Sequence, residues 1–120
     1  MVWRGPMVSG ALLQLVTQTA WGDLDYLVID MPPGTGDIQM ALARLLPQAE
    51  MLVVTTPAQG AQKVAARVAD MARRSYLKVL GVVENMHAFV APDGTSHAIF
   101  GSGGGRRLAA LTGAPLVGEV

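Results

Sequence analysis

The chain has 120 residues and no net charge at pH 7; 51% of its residues are hydrophobic and 15% are charged. This composition excludes a disordered chain, and the lack of like-charge blocks argues against nucleic acid or an anionic membrane as partner. No apolar run reaches the roughly 18 residues that cross a bilayer, and no signal-peptide pattern is present, so we expect a cytoplasmic protein. There is no cysteine, which excludes disulfides and cysteine-held clusters formed by this chain alone.

Short apolar runs alternate with helical periodicity along the chain. In chain order, the sequence predicts a helix over 7–20, a strand over 24–30, a helix over 37–46, a strand over 49–55, a helix over 58–74, a strand over 77–84, a helix over 104–112 and a short strand near Leu116-Val117. The strands are rich in Val, Leu and Ile and do not alternate, which is typical of a parallel sheet covered on both faces. Residues 1–120 are therefore expected to form a single α/β domain of three layers with right-handed crossovers.

Three segments carry more specific predictions. Asp37 is expected to cap the helix over 37–46. The helix over 58–74 should bury one stripe of apolar side chains, formed by Ala61, Val64, Ala65, Val68, Met71 and Ala72. The stretch 86–103 is predicted to be a long loop with a short hairpin, and such loops are usually functional.

The most informative motif follows the predicted strand 24–30. Asp30 ends that strand, and a Pro-Pro-Gly-Thr-Gly-Asp turn comes next. Ligands bind at the carboxyl ends of parallel strands, where a carboxylate suits Mg²⁺ directly or through water. Gly34 and Gly36 leave their backbone N–H groups open to a terminal phosphate, and Asp37 would move when that phosphate is lost. The plainer alternative is a carboxylate capping a strand before a tight turn; the complete turn favours the nucleotide hypothesis.

Other polar residues fall at predicted strand ends or in the long loop. Thr55-Thr56 and Glu84-Asn85 each end a strand, and Asn85 taken alone would be a turn or cap residue. His87, Asp93 and His97 match no compact metal-ligand spacing, so they are interpreted as ordinary loop residues rather than a metal site.

Six blocks of this sequence, in order, resemble the second half of the Mrp family. These are P-loop ATPases of the MinD/ParA-like (deviant Walker) superfamily, associated with iron–sulfur cluster carriage. The blocks are Trp3-Arg4-Gly5-Pro6-Met7, Trp21-Gly22-Asp23-Leu24-Asp25-Tyr26, the turn from Asp30 to Asp37, Val53-Val54-Thr55-Thr56-Pro57, Gly81-Val82-Val83-Glu84-Asn85-Met86 and Ile99-Phe100-Gly101-Ser102-Gly103-Gly104-Gly105.

The resemblance implies a nucleotide site and its residues. Asp30 is similar to the Walker B acid near Mg²⁺, here bound through water. Asn85 is similar to the asparagine that hydrogen-bonds the adenine edge. The switch II segment, which senses the γ-phosphate, corresponds to Gly34, Thr35, Gly36 and Asp37. The family further implies Mg-ATP as cofactor, hydrolysis by a homodimer and iron–sulfur client proteins.

The sequence departs from the family pattern in three ways. No Gly-x-x-x-x-Gly-Lys-Ser/Thr loop is present, and the only lysines, Lys63 and Lys78, follow no glycine. The chain starts and stops inside the family's sequence, so a domain truncated at both ends is expected. The loop after Met86 lacks the family's paired cysteines, so it offers no ligands for a bridging cluster. The chain alone therefore holds no complete catalytic set.

Two hypotheses of different class follow. In the first, the chain is a fragment of an ATP-hydrolysing Mrp-type protein that carries or assembles iron–sulfur clusters. In the second, it is a short non-catalytic interaction module derived from such an ATPase, because loss of the phosphate loop should abolish phosphoryl transfer.

Overall fold

The computed structural model describes residues 5–31 and 36–120. The chain folds into two compact units, unit 1 (residues 1–49) and unit 2 (residues 50–120). Within the described ranges, no helix combines the length and the apolar character that crossing a membrane requires.

Unit 1 contains two helices that pack against each other, α1 (Gly5–Gln18) and α2 (Gly36–Leu45). Leu42 is buried on α2, while Ile38 and Leu45 are half-buried, so these three side chains form the apolar side of the helix. The prediction that Asp37 is the N-cap is wrong, because α2 already begins at Gly36. Asp37 lies inside the first turn, where a carboxylate still interacts favourably with the positive end of the helix dipole.

The predicted strand over 24–30 does not form. These residues have no regular secondary structure, and Tyr26 and Val28 are 88% and 91% exposed. A strand is stabilised by hydrogen bonds to a neighbouring strand, and none of the described residues pairs with this segment. The segment therefore has the composition of a strand, but none of the described strands pairs with it.

Unit 2 is built on a three-stranded parallel sheet with the order β1-β2-β5, formed by β1 (Glu50–Thr55), β2 (Lys78–Glu84) and β5 (Leu116–Glu119). Helix α3 (Gln59–Arg74) connects β1 to β2, and α4 (Gly104–Thr112) precedes β5. Between β2 and α4, β3 (Phe89–Val90) and β4 (Ser96–His97) form an antiparallel hairpin. The predicted hairpin, the parallel pairing and both helices of unit 2 are confirmed.

The core of unit 2 lies between the sheet and the two helices, which both pack on the same sheet face and on each other. Its buried members are Val53, Ala65, Ala69, Val82, Leu108 and Ala114. On the opposite sheet face, Leu52, Val54 and Val117 remain 49–59% exposed. The sheet is thus covered by the helices of unit 2 on one side.

The buried face of α3 differs from the predicted stripe. Ala65 and Ala72 are buried as expected and Ala69 joins them, but Val64 is 57% exposed. The three alanines are spaced by one helical turn, and their small side chains let the helix approach the sheet closely. The face of α3 that is buried therefore carries small side chains, and Val64 lies outside that face.

Candidate functional site at the carboxyl edge of the parallel sheet

Polar residues meet where β1 and β2 end. Thr55 pairs with Glu84 in the last register position, and the Asn85 N–H donates to the Thr55 carbonyl at 2.8 Å. The third strand joins them through the Val120 N–H, which donates to the Glu84 carbonyl at 2.8 Å. The predicted positions of Thr55 and Glu84 at strand ends are therefore confirmed, whereas Asp30 ends no strand, because residues 24–30 do not form one.

Glu84 is the centre of this edge and is fully buried. Its Oε2 accepts a hydrogen bond from the Gly105 N–H, and its Oε1 lies 2.7 Å from His87 Nδ1. Burial raises the pKa of Glu84, but the Gly105 and His87 hydrogen bonds and the charges of His87 and Arg107 outweigh it, so the pKa lies below its usual value. Glu84 is thus an ionised carboxylate that ties β2 to the first turn of α4.

Two glycines allow α4 to begin against the strand ends. A Cβ on Gly104 would lie 2.7 Å from Pro57 Cα, and one on Gly105 would lie 2.8 Å from Glu84 Cβ. Gln62 of α3 also contacts the residues that follow β1, because its Nε2 donates a hydrogen bond to the Pro57 carbonyl at 2.7 Å. The glycine run is therefore needed for the close approach of α4 to β1 and β2, whatever ligand the edge binds.

Asn85 follows Glu84 and is exposed. Its Oδ1 accepts a hydrogen bond from the Met86 N–H at 2.8 Å, and Met86 has a left-handed backbone with φ of 58°. This bond engages the amide oxygen of Asn85, while an amide NH₂ group can donate two further bonds. The geometry agrees with a turn residue and leaves donor capacity for a ligand.

The other predicted nucleotide residues belong to unit 1. Asp30 is exposed. Gly36 and Asp37 form the start of α2, and Asp37 lines a groove of about 560 Å³ together with Leu13, Met40 and Arg44. Gly34 and Thr35, with the two prolines before them, lie outside the described residues, as do Trp3 and Arg4.

A family model decides the identity of the chain. The family described as ParA: NUBPL iron-transfer P-loop NTPase matches residues 1–120. The chain belongs to this family. The resemblance to Mrp-type, MinD/ParA-like P-loop ATPases predicted from the sequence blocks is thereby confirmed.

Curated relatives in the family are substantially longer. The chain is 55% identical to an iron-sulfur cluster carrier protein of Pseudomonas fragi, covering 100% of this chain and 42% of that protein. It is 49% identical to the protein of that name from Mycobacterium tuberculosis (strain ATCC 25618 / H37Rv), with coverages of 99% and 33%. The Escherichia coli (strain K12) protein of that name is 47% identical, with coverages of 100% and 33%. The chain thus spans less than half the length of each of these relatives.

A solved structure shows the same fold. A nucleotide-binding protein from Archaeoglobus fulgidus, in complex with ADP, superposes with a TM-score of 0.74 at 32% sequence identity. The match covers 94% of this chain and 46% of that protein. The α/β fold with a parallel sheet expected of a P-loop NTPase is therefore confirmed.

The loop that carries paired cysteines in the family pattern has other interactions here. Thr95 Oγ1 lies 2.7 Å from Asp93 Oδ1 and 3.0 Å from His97 Nε2, whereas His87 contacts Glu84. The three residues His87, Asp93 and His97 therefore do not form one cluster.

Sequence reasoning missed Glu119, which lies beside Glu84, and Arg106, which contacts Glu119. Glu119 pairs with Glu84 across the β2–β5 ladder, and Arg106 Nε lies 3.4 Å from Glu119 Oε1. The predicted last strand, near Leu116-Val117, was too short to include Glu119. Extending that strand by two residues in parallel register would have placed the two glutamates side by side.

Proposed function

We propose that this chain supplies the magnesium-binding and phosphate-sensing part of a nucleotide-dependent iron–sulfur carrier. The match of the family model to the whole chain supports this most directly. The names of the curated relatives support iron–sulfur carriage, and the ADP complex of the Archaeoglobus fulgidus protein supports nucleotide binding. The proposal keeps residues 1–120 as a single, partial P-loop ATPase domain, acting in the cytoplasm.

Each proposed site residue has a role suited to its chemistry. Asp30 would hold Mg²⁺ through water, because an exposed carboxylate oxygen is a hard ligand and Mg²⁺ keeps several of its waters. Asn85 would bind the adenine edge through its amide. The phosphate-sensing segment would be Gly34, Thr35, Gly36 and Asp37, of which Gly36 and Asp37 lie at the positive end of α2.

The lysines of this chain do not supply the charge that a triphosphate needs. Lys78 begins β2, at the end of the strand opposite to Glu84, and its Nζ pairs with Glu50. Lys63 is an exposed residue of α3. Hydrolysis in this proposal therefore requires a phosphate-binding loop from outside these 120 residues, and we propose a homodimer as the hydrolysing species.

Iron–sulfur clusters are the cargo in this proposal, and iron–sulfur proteins are the clients. The residues present do not fit a cysteine-held cluster, since the sequence has no cysteine. Carriage would thus depend on ligands beyond this chain, and no step of it is assigned to residues here.

The test uses the protein as its source cells make it, captured with an antibody against this chain. Its intact mass and its binding of ATP with and without Mg²⁺ are measured, followed by Asp30→Asn. We expect magnesium-dependent ATP binding that Asp30→Asn weakens at least about tenfold, the size of effect expected when about 1.4 kcal/mol of binding is lost. Asp25→Asn is the matched control, because Asp25 is also an exposed carboxylate of this segment.

Two results would refute the proposal. Absence of ATP binding would overturn it, and combined with a mass of 12.6 kDa it would favour the non-catalytic interaction module instead. Equal losses from Asp30→Asn and Asp25→Asn would remove Asp30 from the magnesium site.

A further inference from the structure

The imidazole of His87 lies between two carboxylates at the carboxyl edge of the sheet. Its Nδ1 is 2.7 Å from Glu84 Oε1, and its Nε2 is 3.9 Å from Glu119 Oε2. One possible ligand atom from each of the three residues lies within 4.8 Å of the others. This grouping is independent of the predicted nucleotide residues.

Glu84 controls which nitrogen of His87 can bind a ligand. His87 Nδ1 faces Oε1 of the buried Glu84 side chain at 2.7 Å, and a carboxylate oxygen accepts hydrogen bonds, so this geometry favours the tautomer of a neutral imidazole that carries its proton on Nδ1. The lone pair then lies on Nε2, the nitrogen that faces Glu119. A carboxylate that orients a histidine in this way is the usual outer-shell partner of a metal-ligating imidazole.

The backbone holds the group in place. The His87 N–H donates to the Val120 carbonyl and the Val120 N–H donates to the Glu84 carbonyl, both at 2.8 Å. Glu119 pairs with Glu84 in the β2–β5 ladder. Because all three side chains project from backbone that is tied together, the ligand atoms need little ordering when an ion binds.

We propose that His87 Nε2 and Glu119 bind a divalent transition-metal ion of the zinc class, with Glu84 as the positioning residue. Zinc binds imidazole nitrogen and carboxylate oxygen at about 2.0–2.2 Å, and its tetrahedral angle places two such atoms about 3.4 Å apart. The two atoms are 3.9 Å apart here, so they must approach each other by about 0.5 Å when an ion binds. Two protein ligands leave coordination positions for water or for a donor of another molecule. This site goes beyond the proposed function, since it requires neither nucleotide nor cluster.

Arg106 opposes metal binding. Its Nε lies 3.4 Å from Glu119 Oε1, so its positive charge competes with a cation for the same carboxylate. The alternative to a metal site is that a protonated His87 simply bridges the two glutamates. Loss of Arg106 frees Glu119 in either arrangement, but only a metal site turns the freed carboxylate into a higher affinity for a metal ion.

The experiment titrates the chain with Co²⁺, whose visible absorption reports ligand number, and then displaces it with Zn²⁺. We expect one site per chain, weakened roughly tenfold or more by His87→Ala and by Glu119→Gln, a loss at the lower end of that for disturbed metal sites. Arg106→Gln should tighten binding. His97→Ala is the matched control, because His97 is the only other histidine and lies in the same loop.

Glu84 is tested by a measurement on the unmutated chain, since its replacement affects a buried position. Long-range ¹H–¹⁵N NMR of the neutral imidazole should show the proton on Nδ1, and Glu84→Gln, if folded, should shift it towards Nε2. Unchanged metal affinity in His87→Ala, an equal loss in His97→Ala, or a proton on Nε2 in the unmutated chain would overturn the proposal.

Discussion

Replacing Gly104 by alanine tests whether α4 must begin in contact with the end of β1. The added Cβ would lie 2.7 Å from Pro57 Cα, 2.8 Å from Gln62 Nε2 and 2.9 Å from the Thr56 carbonyl oxygen. Carbon atoms pack favourably at about 3.5–4.0 Å, and two of these three neighbours are backbone atoms that cannot rotate away. The start of α4 must therefore move by close to an ångström (about the shortfall in contact distance).

The expected cost follows from two opposing terms. Overpacking of a close contact costs about 1–3 kcal/mol, whereas alanine in place of glycine favours a helix by about 0.5–1 kcal/mol. We expect Gly104→Ala to lower the free energy of unfolding by about 1–2 kcal/mol, measured by urea unfolding monitored by circular dichroism.

Gly60→Ala is the matched control. Gly60 lies in the first turn of α3, is exposed, and has nothing within 4 Å of an added Cβ. Only the preference of alanine over glycine in a helix applies there, so this variant should raise the free energy of unfolding by about 0.5 kcal/mol. If Gly104→Ala proved as stable as Gly60→Ala, with equal slopes in urea, α4 would not be held against Pro57 as described.

Two further predictions concern the core and the hairpin. Leu108→Ala should lose about 2–5 kcal/mol of unfolding free energy in the same urea assay, because Leu108 is fully buried. The control Leu111→Ala, at a 74% exposed position of the same helix, should change the unfolding free energy by at most about 0.5 kcal/mol. Equal effects of the two substitutions would contradict the assigned core. Hydrogen bonds from the Thr95 hydroxyl and the Thr95 N–H lower the pKa of Asp93. Their stabilisation of the hairpin is therefore fully present at pH values above the ordinary carboxyl pKa, and it is lost as the pH falls through the lowered pKa of Asp93. An NMR titration should show that Thr95→Val raises the pKa of Asp93, and an unchanged value would refute the assignment.

The sequence allowed prediction of the elements that its periodicity encodes directly. Helix α4 was predicted over 104–112 from the glycine run at its start, and it lies there; in the structure Gly113 ends it in a left-handed conformation. The strands β1 and β2 were predicted within one residue, since runs of Val, Leu and Ile bounded by polar residues are typical of a parallel sheet. The edge shared by Thr55 and Glu84 followed from parallel pairing alone.

Other features were decided by the tertiary structure, because they depend on which elements pack or pair with each other. Residues 24–30 have the composition of a strand but lack a paired neighbour, and α3 buries Ala69 rather than Val64 because small side chains fit against the sheet. Neither fact is encoded in local periodicity. The contact of His87 with Glu84 is local, but Glu119 comes from another strand, and only the register of β2 with β5 brings it beside them.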